Sequence, residues 1–109
     1  GGRFWVAESA GQLVACAGLV SGSEPDVMEM KKVYVARDAR QVGLGARLCS
    51  LVEAEAMSRR ASAIDLWSDT RFLDAHRLYE KRGYVRGPKT RELHDKSKSV
   101  EYYYRKALG

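Results

Sequence analysis

The stretch that most constrains this chain is Val33 to Leu51, VYVARDARQVGLGARLCSL. It opens as an apolar strand, passes through a short basic loop and becomes a helix, with Leu44, Leu48, Leu51 and Val52 at helical spacing. The joint holds Arg40, Gln41, Val42, Gly43, Leu44 and Gly45. Two glycines sit at the turn, where a side chain would keep a ligand from the backbone. The first N–H groups of a helix beginning near Leu44 have no intrahelical partner, and the macrodipole places partial positive charge there. Strand, glycine turn and helix N-terminus in series make an anion cradle suited to phosphate. The spacing is not that of a P-loop, since no G-K-[ST] follows. Nor is it the dinucleotide G-x-G-x-x-G, since Ala46 and Leu48 stand where a third glycine would help. The pattern is R-x-x-G-x-G, which by itself fits a purely structural glycine turn equally well.

At 109 residues the chain makes one domain with a single core. Its 45% hydrophobic and 30% charged content belong to a soluble globular protein, and no apolar run approaches a membrane span. The net charge of +5 favours an anionic partner: a multiply charged cofactor, nucleic acid or an acidic surface. No helix-turn-helix, RNA-binding aromatic string or zinc pattern accompanies that charge, so nucleic acid ranks last among these. Cys16 and Cys49 lie in apolar surroundings and read as buried free thiols, and no Cys/His cluster has metal spacing. Two reduced thiols and the lack of a signal peptide point to the cytoplasm.

In chain order, Phe4–Glu8 and Gln12–Val20 form a hairpin across Ala10-Gly11, and the second strand is apolar enough for burial on both faces. Val27 to Val35 is the third strand, and its alternation slips. Met28 and Met30 are apolar at even positions, Val33 and Val35 at odd ones. One extra residue near Met30–Lys32, a β-bulge, would restore a single buried face. The helix after the glycine turn runs to about Arg60, with Arg47, Glu53, Glu55 and Arg59 toward water and Glu55–Arg59 as an i,i+4 pair. Ala63–Ser68 is a strand. Asp74–Arg82 is a short helix with Ala75, Leu78, Tyr79 and Arg82 on one side and Gly83 as its C-cap. Tyr84–Gly87 and Val100–Arg105 are the last strands, joined by a basic loop over Pro88–Lys98. The order β-β-β-α-β-α-β-β gives an α/β domain with a single mixed, mostly antiparallel sheet over residues 3–109.

A second segment, Ala75 to Val85, reads AHRLYEKRGYV. Together with R-x-x-G-x-G it resembles the GNAT superfamily of acetyl-CoA-dependent N-acetyltransferases, over about Phe4 to Leu108. In that family R/Q-x-x-G-x-G/A carries the pyrophosphate of coenzyme A. A later A-x-x-L-Y-E-K-x-G-F/Y helix carries a tyrosine next to the thioester sulfur, and the bulged strand splays to admit the pantetheine arm. The resemblance implies that Val33, Tyr34 and Val35 lie along that arm, and that Arg40, Gln41, Val42, Gly43, Leu44, Gly45 and Ala46 hold the pyrophosphate. It implies acetyl-CoA as co-substrate, no metal, and a small-molecule or peptide amine as acceptor. Family members usually begin with another strand and one or two helices; none precedes Phe4 here. The acceptor side would then be open, completed by a second subunit as in a homodimer, or lost in a fragment; the alternative is a catalytically silent acyl-CoA-binding module.

In that reading Tyr79 donates toward the sulfur. A phenol of pKa about 10 stays protonated beside a thiol of about 8.5. Tyr79 also fits as a core aromatic on the buried stripe. Glu29, on the bulged strand between two methionines, matches the carboxylate that deprotonates the amine, and desolvation moves a carboxylate toward a useful range. A wet outer face would make it ordinary surface. Asp69 is the alternative base, or a turn residue. The oxyanion donor would be a backbone N–H near Lys32 or Val33. Phe72 stands where many members carry a cofactor-contacting asparagine, so that contact is not transferred. His76 reads as an exposed helix histidine. Glu24, Asp26 and Asp69 would suit a cationic acceptor if they converged.

Overall fold

A computed structural model describes residues 2–22, 24–36, 43–94 and 98–108. Its elements are β1 (Arg3–Ser9), β2 (Gln12–Ser21), β3 (Val27–Val35), α1 (Leu44–Ser58), β4 (Ala63–Asp69), α2 (Leu73–Lys81), β5 (Val85–Glu92) and β6 (Val100–Ala107). The six strands form one sheet in the order β1-β2-β3-β4-β6-β5. Every pairing is antiparallel except β3–β4, which the α1 crossover makes parallel. The expected α/β architecture and element order are present.

The hairpin of β1 and β2 turns through Ala10 and Gly11, both at positive φ, the two-residue geometry whose twist matches the flanking strands. The inner faces of β2, β3, β4 and β6 contribute Ala15, Ala17, Leu19, Met30, Ile64, Leu66 and Tyr104 to one core. Leu48, Cys49, Val52 and Ala56 from α1 and Tyr79 from α2 close it. Among the described residues both helices therefore pack on one face of the sheet. α2 ends as a Schellman motif. Gly83 takes φ 91°, its N–H bonds the Glu80 carbonyl at 3.1 Å, and the Tyr84 N–H bonds the Tyr79 carbonyl at 3.0 Å.

Four expectations change. α1 stops at Ser58, and Arg60 leaves it in the left-handed region at φ 61°. Glu53 faces the interior, not water. Its carboxylate accepts from Arg82 (2.7 and 3.2 Å) and from the Tyr84 hydroxyl (3.0 Å), with Lys106 Nζ at 3.3 Å. Leu51, read as part of the apolar stripe, is exposed instead. Finally, Pro88–Glu92 continues β5 and is not loop. The strand lies at the sheet edge, and its register shifts between Arg86 and Thr90, so the missing N–H of Pro88 disturbs no second ladder.

Candidate active site

The site begins with an error in the ladder. Cys16 pairs with Tyr34 and Gly18 with Lys31, so Ala17 of β2 faces two residues of β3, Lys32 and Val33. This is the expected bulge. Met28 and Met30 before it and Val33 and Val35 after it all reach the same core. On its other side β3 pairs with β4 only through Val27–Ala63, Met28–Ile64 and Glu29–Asp65. From Met30 and Leu66 onward the two strands part, while β4 stays paired with β6 through Asp69. A gap thus opens beside the second half of β3, where backbone groups have no β4 partner.

The N-terminus of α1 stands near the far end of β3. Its first intrahelical bond runs from the Arg47 N–H to the Gly43 carbonyl at 3.1 Å. The N–H groups of Leu44, Gly45 and Ala46 precede it and have no acceptor within the helix. Among the described residues no side chain caps this end, and no acidic residue lies in its first turn. The two glycines differ in role. Gly43 is at φ 77°, where the backbone favours glycine, and among the described residues a Cβ there would meet nothing within 4 Å. Gly45 is buried: a Cβ would come within 3.0 Å of Leu78 Cδ2 and 3.5 Å of Val35 Cγ2. Its small size makes room for these two neighbours. An open cradle with three free donors fits a diphosphate. Arg40, Gln41 and Val42 lie outside the described residues.

Tyr79 projects from α2 into the core, 4% exposed, with its ring 5.8 Å from Tyr84 and 5.7 Å from Tyr104. Burial, with Cys49 and Tyr104 nearby, pushes its phenol well above the ordinary tyrosine value, so it carries its proton at neutral pH. Among the described residues its hydroxyl has no hydrogen-bond partner. Among the described residues no fully buried side-chain oxygen or nitrogen lacks a partner, so that hydroxyl retains an open side. The Cys49 thiol beside it is pushed up to about 11, by burial first and Glu53 second, and remains a thiol.

Glu29 lies on the opposite face of the sheet, at the last rung before the gap, directly across the parallel ladder from Asp65. Its side chain is 19% exposed, with Lys31 Nζ 3.9 Å away. Asp65 is 6% exposed and accepts from the Tyr103 hydroxyl at 2.8 Å. Trp67 lies on the same face, its ring 5.1 Å from that of Tyr103. Asp65, Trp67 and Tyr103 did not emerge from the sequence reading. The alternation of Asp65, Trp67 and Asp69 against Ile64 and Leu66 was the available signal.

Two of the other acidic candidates are each held by an arginine. Asp69 is locked in a fork with Arg71, Nε to Oδ1 at 2.9 Å and Nη2 to Oδ2 at 2.7 Å, and also accepts from the Arg71 backbone N–H. Arg71 thereby holds the Asp69 carboxyl well below the usual carboxylate range. Glu24 pairs with Arg105 at 2.8 Å. His76 is buried, not exposed as its helix position suggested. Its Nε2 lies 2.9 Å from the Asp69 carbonyl and its ring packs on Tyr102 and Tyr104. Phe72 is exposed at the start of α2.

A sequence profile of the acetyltransferase (GNAT) family matches residues 1–84. The probable N-acetyltransferase camello of Xenopus tropicalis is 34% identical over 82 residues, 74% of this chain and 37% of that protein. An IAA acetyltransferase of Azospirillum brasilense is 33% identical over 87 residues, 79% of this chain and 57% of that one. A Bacillus anthracis protein described as a candidate streptothricin acetyltransferase, solved with acetyl coenzyme A, superposes at a TM-score of 0.79. It is 21% identical, and the match covers 97% of this chain and 62% of that one. The chain thus spans between about a third and two thirds of the length of these proteins. The bulged and parted β3, the open glycine turn before α1 and the L-Y-E-K-R-G-Y helix end agree with the profile match, and the chain belongs to the acetyltransferase (GNAT) family.

Proposed function

We propose that this domain transfers an acetyl group from acetyl-CoA to a primary amine by direct attack within a ternary complex. The observation that carries the proposal is the parting of β3 from β4 after Glu29–Asp65, with Glu29 on one face of the sheet and Tyr79 on the other. Acetyl-CoA supplies the activated acyl thioester. The N–H groups of Leu44, Gly45 and Ala46 would hold its diphosphate, aided by the helix dipole. The main chain of Val33, Tyr34 and Val35 would pair its arm as an added strand. A β3 N–H at the bulge, Lys32 or Val33, would donate to the oxygen where negative charge develops. Glu29 would take a proton from the amine, directly or through water, leaving the nitrogen lone pair free to attack. Tyr79 would hold its proton toward the departing sulfur. Asp69 is a poor base in this scheme, because its fork with Arg71 favours the ionised form. Cys49 is a poor nucleophile because it stays protonated, which favours direct attack over an acyl-enzyme.

The test is thiol release from acetyl-CoA with a panel of small and peptidyl amines. Amine-dependent release that is lost in Tyr79→Phe supports the proposal. A rise in melting temperature with acetyl-CoA but no release with any amine would instead mark a cofactor-binding module.

A further inference from the structure

Gly45 is where three parts of the site touch. It is the second residue of α1, so its N–H is among the free donors of the cradle. The space its side chain would fill is taken by Leu78 of α2, at 3.0 Å, and Val35 at the end of β3, at 3.5 Å. Leu78 immediately precedes Tyr79, and Val35 lies two residues past the bulge. Each contact joins an end of the site to this one point, and each neighbour is itself packed against the core. Gly45 is buried and both neighbours are partly buried against the core, where packing leaves few voids to absorb a displacement.

We infer that Gly45 is a positioning residue: its lack of a side chain sets the separation between the diphosphate cradle and the Tyr79 hydroxyl. This rests on the acetyl-transfer reading and adds to it. A methyl at Gly45 asks a few tenths of an ångström of the Leu78 side-chain tip. A β-branched side chain asks more, and also meets Val35, so α2 and Tyr79 move away from α1. The N–H of residue 45 is retained, and with it the grip on the diphosphate.

The experiment compares wild type, Gly45→Val, Leu78→Ala and the double variant. Acetyl-CoA affinity is measured by calorimetry and kcat by thiol release. Gly45→Val is expected to lower kcat by about tenfold or more, as misplacement of a reacting group does, with the dissociation constant within about twofold. Leu78→Ala in the same chain then recovers most of the lost kcat by making room. Affinity and kcat falling together would overturn the inference and leave Gly45 as a cradle residue only. So would a double variant no faster than Gly45→Val. Should Gly45→Val fail to fold, Leu78→Ala alone decides: it loosens the spacing, so kcat falls several-fold at unchanged affinity, and an unchanged kcat overturns the inference. Wild type that binds acetyl-CoA yet releases no thiol with any amine would defeat the acetyl-transfer reading, and the spacer with it. An active wild type with Gly45 variants that lose affinity and rate in step defeats the spacer alone.

Discussion

Two acidic side chains, one on each face of the sheet, are held very differently. On the helix-covered face Glu53 accepts from Arg82 and Tyr84 and has Lys106 alongside, so its charge is fully engaged between α1, the end of α2 and β6. On the opposite face Glu29 stands at the end of a ladder with Lys31 at 3.9 Å as its nearest opposite charge among the described residues, and another carboxylate, Asp65, across the rung. Burying a charge is costly unless it is paired and hydrogen-bonded. Glu53 meets that condition within the fold, whereas Glu29 has only the longer Lys31 contact among the described residues. Asp69 shows that the face alone does not decide the matter. It shares the Glu29 face, yet Arg71 saturates it. A carboxylate available for chemistry is one that its own chain has left underpartnered, beside a gap.

The comparison can be broken in four ways. The largest effect is expected for Tyr79→Phe, which removes the only proton this chain directs toward the sulfur in the proposed mechanism. Thiol release should fall by about a thousandfold, within the range for acid–base groups, with the acetyl-CoA-induced rise in melting temperature kept. Next is Glu53→Ala, which leaves Arg82, Tyr84 and Lys106 without their common partner. It should cost about 3 kcal/mol in denaturant unfolding, the low end for breaking a buried pair because both cations are partly solvated. Third, Glu29→Gln should leave the denaturation midpoint almost unmoved and lower the rate near neutral pH by about a hundredfold. That loss should shrink as pH rises and the free amine deprotonates without help. A Glu29→Gln loss that is flat with pH would mean that the residue only shapes the pocket.

The smallest effect concerns acid stability. The folded pKa values of Asp69 and Glu53 are depressed, by Arg71 and by Arg82 with Tyr84 respectively, Glu53 against an opposing burial effect. A depressed carboxylate stabilises the fold above its unfolded pKa, about 4, and that stability is lost as pH falls through the folded value. Unfolding free energy should therefore decline below about pH 4, and Asp69→Asn should be less stable at neutral pH but lose less on acidification. An unchanged acid profile in Asp69→Asn would show that the fork with Arg71 adds nothing.

Sequence reasoning succeeded where the controlling interactions are local. The bulge followed from the phase slip between Met30 and Val33, because a strand with one buried face has to keep its period. The end of α2 followed from Gly83, because a left-handed cap selects glycine. It failed where partners come from afar. Glu53 reads as a surface residue along α1, and its partners Arg82, Tyr84 and Lys106 come 29, 31 and 53 positions later. His76 reads as exposed until β6 places Tyr102 and Tyr104 against it. Pro88 and its basic neighbours suggest a loop, but an edge strand tolerates both. The candidate site was partly visible. The glycine turn showed through its place between strand and helix, and Tyr79 through the family resemblance of its segment. The pairing of Glu29 with Asp65 required the strand order, and the Leu78 contact that explains Gly45 has no signature along the chain.

The central claim is that the gap beside β3 and the tip of α1 together receive one thioester cofactor. Amide hydrogen exchange with and without acetyl-CoA tests it most directly. The account predicts new protection at Met30–Val35 and at Leu44–Ala46, with β1 and β5 unchanged. Protection confined to other segments, or none at saturating acetyl-CoA, would contradict it.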